Sequence, residues 1–151
     1  EIEYFRIDYQ TKVGAHIKDF FAKVILRHHE KNNITGSVFF IISTIISFSA
    51  FDYPVALVAL LMTVFGDLAA ALMGTAFGKK KIFRKKSYIG TLSGLVVNII
   101  IAVTLMPWAL IVTLPMAATA SVVETLTSKL DDNLTVPLFA GFVGQMILLM
   151  V

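Results

Sequence analysis

The sequence predicts an all-α, polytopic integral membrane protein with about five transmembrane helices, preceded by an amphipathic interfacial helix. Three observations predict it. Of 151 residues, 57% are hydrophobic and only 15% are charged, against about 25% charged in an ordinary soluble domain. The mean hydropathy is +0.81. The apolar residues also fall in blocks close to the ~20 residues that cross a bilayer. With no cysteine, disulfides and thiolate metal sites are excluded.

Residues 1–33 come first. Lys12, His16, Asp19, Lys23, Arg27 and Glu30 recur at spacings of three and four, and Val13, Ile17, Phe20 and Val24 form a neighbouring apolar stripe. That pattern reads as an amphipathic helix lying in the membrane interface on the cytoplasmic side. Residues 34–151 then read as a transmembrane catalytic domain. The chain opens on Glu1, and charges of both signs in residues 1–12 do not resemble a signal peptide. The expectation is therefore a piece of a longer protein that lacks upstream spans.

Five spans follow in order. Ile34–Phe51 is ended by Asp52-Tyr53-Pro54. Pro54–Phe77 is ended by Gly78 and lysines. Tyr88–Met106 is ended by Pro107. Trp108–Thr127 is ended by Ser128-Lys129, and Leu134–Val151 reaches the last residue. Proline breaks helices and tryptophan prefers the interface, so Pro107-Trp108 is the expected turn inside the long run 88–127. With residues 1–33 on the cytoplasmic side, all 13 Lys and Arg fall on that side, in full accord with the positive-inside rule.

The unusual polar residues gather toward the same face. Asp67 interrupts an apolar run, about two turns ahead of the last glycines of its helix. An intramembrane charge is costly and marks a functional position by default. Gly66, Ala70, Gly74 and Gly78, then Gly90 and Gly94, form small-residue stripes that let helices approach closely, within the chain or across a homodimer. The lysine run 79–86 would anchor topology; between Asp67 and Ser87-Tyr88-Ile89-Gly90-Thr91 it also offers charge for phosphate. Ser87 is expected to cap the third span. Glu124, Ser128 and Asp131 stand at i, i+4 and i+7, so one helical face would present all three. Asp131-Asp132-Asn133 reads equally as a solvated turn. Two acidic clusters, around Asp67 and around Glu124 and Asp132, suit Mg²⁺ ions on a polyphosphate. No Walker loop GxxxxGK[ST] and no GxGxxG is present. Asn98 and Gln145, inside spans, are expected to hydrogen-bond between helices.

The segments GDLAAALMGTAFGKKK, KSYIGTLSG and Glu124…DDNLTVP, with LRHHEKNNITGS at Leu26–Ser37, resemble the CTP-dependent lipid-alcohol kinases: dolichol kinase, phytol kinase and the CTP-using diacylglycerol kinase. The resemblance covers about residues 26–138. It implies transfer of the γ-phosphate of CTP to a lipid hydroxyl at the cytoplasmic face of a cell (inner) membrane or endomembrane, with Mg²⁺. It places Asp67, Glu124 and Asp132 as catalytic and metal-binding residues. Lys79, Lys80, Lys86, Ser87, Gly90, Thr91 and Asn133 would bind the nucleotide, bordered by Arg27, Glu30, Thr35 and Gly36. Expected partners are a lipid alcohol, the nucleotide and the bilayer, with no nucleic acid. The runner-up is a phosphatidate cytidylyltransferase, which shares a D..A…G..FGK.K-like block but whose closing PGHGG-type signature is absent here. A third reading is a non-enzymatic transport or lipid-binding module.

Overall fold

The computed structural model describes residues 36–83, 86–127 and 131–151. Apart from 36–38 these lie in one compact unit, Phe39–Val151, which the following paragraphs concern. The amphipathic segment 1–33, with Arg27 and Glu30, and Thr35 lie outside the described residues.

Five helices carry the fold: α1 (Gly36–Ala50), α2 (Tyr53–Phe77), α3 (Tyr88–Leu105), α4 (Leu110–Leu126) and α5 (Asp132–Leu148). Three of these segments are long and apolar enough to cross a membrane: Tyr53–Phe77, Tyr88–Leu105 and Pro107–Leu126. This makes the chain a membrane protein. α1 and α5 have 15 and 17 residues, about 22 and 26 Å at 1.5 Å per residue, against a hydrocarbon core of about 30 Å.

The breaks fall where the sequence chemistry demands. Pro54 opens α2 within its first turn, a position that needs no donor. Pro107 starts a 3₁₀ turn, Pro107–Ala109, with Trp108 exposed, so the long apolar run divides there as expected. Pro115 and Pro137 lie inside α4 and α5, and both helices continue through them.

One element has no counterpart in an all-α expectation. The lysine run folds as an antiparallel ribbon, β1 (Lys81–Phe83) with β2 (Lys86–Ser87), in irregular register. It turns Lys86 back toward the helices, and Ser87 then caps α3 by accepting from the Gly90 N–H at 3.1 Å.

α2 and α3 cross at their glycines. A Cβ built on Gly90 would stand 2.7 Å from the Ala70 carbonyl oxygen and 3.2 Å from Gly74 Cα; one on Gly94 would stand 3.1 Å from the Gly66 carbonyl oxygen. The small-residue stripes are thus spent within the chain. The hydrophobic core is built from Val55, Val58, Ala59 and Met62 of α2 with Val112, Met116, Ala117 and Ala120 of α4, closed by Val136 and Ala140 of α5. Gly141 and Gly144 of α5 receive Phe51 and Met116. Outward positions such as Ile45, Ile100, Ile111 and Phe142 stay exposed, as a surface solvated by lipid rather than water would.

Two polar clamps join helices, as the intramembrane amides foretold. Gln145 Oε1 accepts from the Asp52 backbone N–H at 2.8 Å and its Nε2 donates to Asp52 Oδ2 at 3.1 Å. Asn98 Nδ2 donates to Ser121 Oγ at 3.1 Å, while Asn98 Oδ1 is buried without a partner. A Cβ on Gly66 would come 2.5 Å from that oxygen. Gly66→Ala is therefore expected to cost about 1–3 kcal/mol by overpacking. Adding Asn98→Ala to that variant should return part of the loss, read as unfolding midpoints in detergent. A Gly66→Ala protein as stable as wild type would show that α2 and α3 have slack here.

Candidate functional site

The three carboxylates singled out in the sequence converge on one lysine. Lys86 Nζ lies 2.8 Å from Glu124 Oε1, 3.5 Å from Asp67 Oδ1 and 3.7 Å from Asp132 Oδ2. α2 supplies Asp67, α4 supplies Glu124, and the first residue of α5 supplies Asp132. β2 delivers the cation.

Burial separates their roles. The Glu124 side chain is 7% exposed, whereas that of Asp67 is 48% exposed. Asp67 is half exposed, and Glu124 is the acid buried within the protein. It sits deep because α3 is small beside it, a Cβ on Gly94 lying only 3.6 Å from Glu124 Oε2. A buried charge requires a partner, and the 2.8 Å charge-assisted hydrogen bond from Lys86 provides one. Burial opposes the charge of Lys86, but its hydrogen bond to Glu124 and the fields of Glu124, Asp67 and Asp132 outweigh this. Its pKa stands above the ordinary value of 10.5.

Three carboxylates against one ammonium leave an excess of two negative charges. Their oxygens are the hard donors that divalent cations such as Mg²⁺ take, and one such ion would cancel the excess. The donor chemistry fits. Among the described residues, however, no three acidic or histidine side chains are close enough to hold a metal by themselves; the Lys86 ammonium stands in their midst.

The remaining candidates divide. Lys79 and Lys80 are exposed and make no ion pair with these carboxylates among the described residues. Ser87 is buried and serves as the α3 cap; the Gly90 N–H is taken by that cap, so this amide is not free for phosphate. Thr91 pairs with Thr125 at 3.1 Å, which ties α3 to α4 one residue from Glu124. Thr125 carries no signal in the sequence that would have marked it. The Asn133 N–H is held by Asp131 and Asp132, and its carbonyl accepts from Ser43. Gly36 is the first residue of α1.

Ser128 lies outside the described residues, and Glu124 and Asp131 do not share a helical face. α4 ends at Leu126, Thr127 is extended, and Asp131 caps α5 by accepting from the Asn133 N–H. Asp131 thus serves as a helix cap, and its neighbour Asp132 is the one that reaches Lys86.

The family model described as the cytidylyltransferase family matches residues 31–146, most of the chain and every element that contributes to the carboxylate–lysine centre. The chain belongs to this family. Among curated proteins, Phytol kinase 1, chloroplastic, of Arabidopsis thaliana is 30% identical over 126 residues, covering 70% of this chain and 41% of that protein. CTP-dependent diacylglycerol kinase 1 of Eremothecium gossypii is 33% identical over 79 residues, covering 51% of this chain and 25% of that protein. The chain thus spans less than half the length of either relative. No solved structure matches. The motif resemblance to CTP-dependent lipid kinases is borne out by the family match and by these two relatives.

Proposed function

We propose that this chain carries the catalytic centre of a CTP-dependent lipid kinase, which moves the γ-phosphate of CTP to the hydroxyl of a lipid alcohol at the cytoplasmic face. The observation that carries the reading is the convergence of Asp67, Glu124 and Asp132 on Lys86, at the end of the bundle from which the lysine ribbon projects. The named activities of the two relatives support it. All five helices would cross the bilayer, α1 and α5 as short spans.

In this reading the lipid oxygen attacks the γ-phosphorus. The bond from γ-phosphorus to the β-phosphate oxygen breaks, CDP leaves, and the hydroxyl proton passes to a carboxylate of the centre. Such a transfer depends on positioning and charge neutralisation more than on covalent chemistry. Lys79 and Lys80, exposed on the ribbon, would draw the triphosphate to the surface. Lys86 neutralises one of the three carboxylates and fixes Glu124. Asp67, Glu124 and Asp132, not close enough to hold a metal by themselves, would hold Mg²⁺ only jointly with the substrate phosphates, whose charge it would neutralise.

Asp67→Asn should separate function from folding. Asp67 is half exposed and only 3.5 Å from Lys86, while Glu124 keeps the shorter contact. An exposed pair of this kind is worth about 0–1 kcal/mol. The variant is therefore expected to melt within a few degrees of wild type and to lose phosphate transfer. Normal turnover by a folded Asp67→Asn protein would remove Asp67 from the site.

The family's description keeps a second reading in play, that of a lipid cytidylyltransferase. Two assays on purified full-length protein decide between them. Label passing to diacylglycerol, polyprenol or phytol from γ-labelled CTP alone establishes the kinase. Label passing to phosphatidate from α-labelled CTP alone establishes the transferase and overturns the proposal. Transfer in neither assay, with ATP also inactive as donor, returns the chain to a non-enzymatic role.

A further inference from the structure

We propose that a cleft between α3 and α4 holds the hydrocarbon chain of the lipid on which the carboxylate–lysine centre acts, and so sets the depth of its hydroxyl. The cleft has a volume of about 330 Å³ and is lined by Thr91 and Leu95 of α3 and by Ala118, Ser121, Val122 and Thr125 of α4. Its walls present carbon alone, although three of these residues carry hydroxyls. Those hydroxyls are engaged within the protein. Thr91 pairs with Thr125, Thr125 donates to the Ser121 carbonyl, and Ser121 donates to the Ala117 carbonyl while accepting from Asn98. Methyl and methylene groups remain to face an occupant, which therefore cannot be an ion or a nucleotide and must be apolar.

Position identifies the occupant further. The cleft runs along the first turns of α3 and the last turns of α4, both membrane-spanning segments. Val122 and Leu126, which also line it, are 54% and 62% exposed, so it opens sideways onto the surface that meets acyl chains. Its inner neighbours are the charged centre. Glu124 adjoins Thr125 in α4, and its carboxylate abuts Gly94, which adjoins Leu95 in α3. The same two helices thus turn one face to the carboxylates and the adjacent face to the cleft. A lipid entering from the bilayer with its chain in the cleft would bring its polar end to the level of Glu124.

Lipid tails are as apolar as leucine, so binding here gains little from desolvation. The cleft acts by shape, aligning one chain so that a headgroup oxygen stays near the reacting phosphate. The headgroup identity rests on the kinase reading; the chain-binding role does not.

The test uses the full-length protein in phosphatidylcholine nanodiscs with a long-chain alcohol carrying a mid-chain diazirine. Photolabel is expected on Leu95, Ala118 and Val122 in preference to Val103 and Ile111, exposed near the opposite ends of the same helices. Ala118→Trp should abolish that label and raise the KM for the long-chain alcohol roughly tenfold, leaving the KM for CTP and turnover of a short water-soluble analogue unchanged. Ala118→Leu, a smaller plug, should fall between. Uniform labelling overturns the proposal, and so does a cleft shielded by another segment of the full-length chain. Labelling without any kinetic effect of the plug also overturns it, by marking the occupant as ordinary annular lipid. If wild type transfers no γ-phosphate the kinase reading fails, and the cleft is then decided by whether label concentrates on its residues and is lost in Ala118→Trp.

Discussion

Lys86→Met is expected to destabilise the protein more than any other single change on its surface ribbon. Removing the ammonium leaves Glu124, whose side chain is 7% exposed, as a buried charge without a partner. Breaking a fully buried pair costs about 3–5 kcal/mol. Because the Lys86 side chain is itself 30% exposed, about 2–3 kcal/mol is the better expectation. The double variant Lys86→Met/Glu124→Gln should recover most of this, since a neutral amide needs no counterion, yet it should remain inactive. Unfolding midpoints in detergent provide the measurement. A Lys86→Met protein as stable as wild type would mean that water or another cation already serves Glu124. The same pair has a pH signature. The pKa of Lys86 is raised above 10.5 in the folded protein, so its contribution is complete below that value and is lost as pH climbs through the folded-state pKa. Wild type should lose stability in that alkaline range more steeply than Lys86→Met.

Gly90→Ala is expected to be damaging, because it forces apart the α2–α3 crossing on which the centre depends. The added methyl would meet the Ala70 carbonyl oxygen at 2.7 Å and Gly74 Cα at 3.2 Å. Both are backbone, so no side-chain rotation relieves the contact, and α2 and α3 must separate. Overpacking of this kind costs about 1–3 kcal/mol. Separation would also draw Asp67, on α2, away from Lys86, which stands just ahead of α3, so activity should fall with stability. Gly74→Ala is the control. Its nearest neighbour is Ser87 Oγ at 3.1 Å and its backbone contact is an ordinary 3.5 Å, so only slight destabilisation is expected. Equal tolerance at positions 90 and 74 would contradict the crossing geometry described above.

Two of the acids that converge on Lys86 were visible in the sequence for an energetic reason. Asp67 and Glu124 stand in otherwise apolar runs, where a charge persists only if something compensates it. The same logic marked Asn98 and Gln145 as bridges between helices, and glycine spacing marked the α2–α3 crossing. Misreadings arose where one local pattern was extended across a boundary. The spacing of Glu124, Ser128 and Asp131 suggested one helical face, but the helix stops at Leu126 and Asp131 starts a new one. Lysines that read as a topology anchor lie in a ribbon that pairs Lys81 with Ser87 and Phe83 with Lys86.

The sequence by itself determined that this is a helical membrane protein, where its helices break, and which segments carry its charge. Hydropathy and proline act locally, over a span of residues that the chain presents in order. Only the tertiary structure decided that three acids from three helices share one lysine, that Glu124 rather than Asp67 is the buried member, and that a carbon-lined cleft runs beside them. Those properties depend on how closely backbones approach, which residues such as Gly90 and Gly94 permit but which spacing along the chain does not specify.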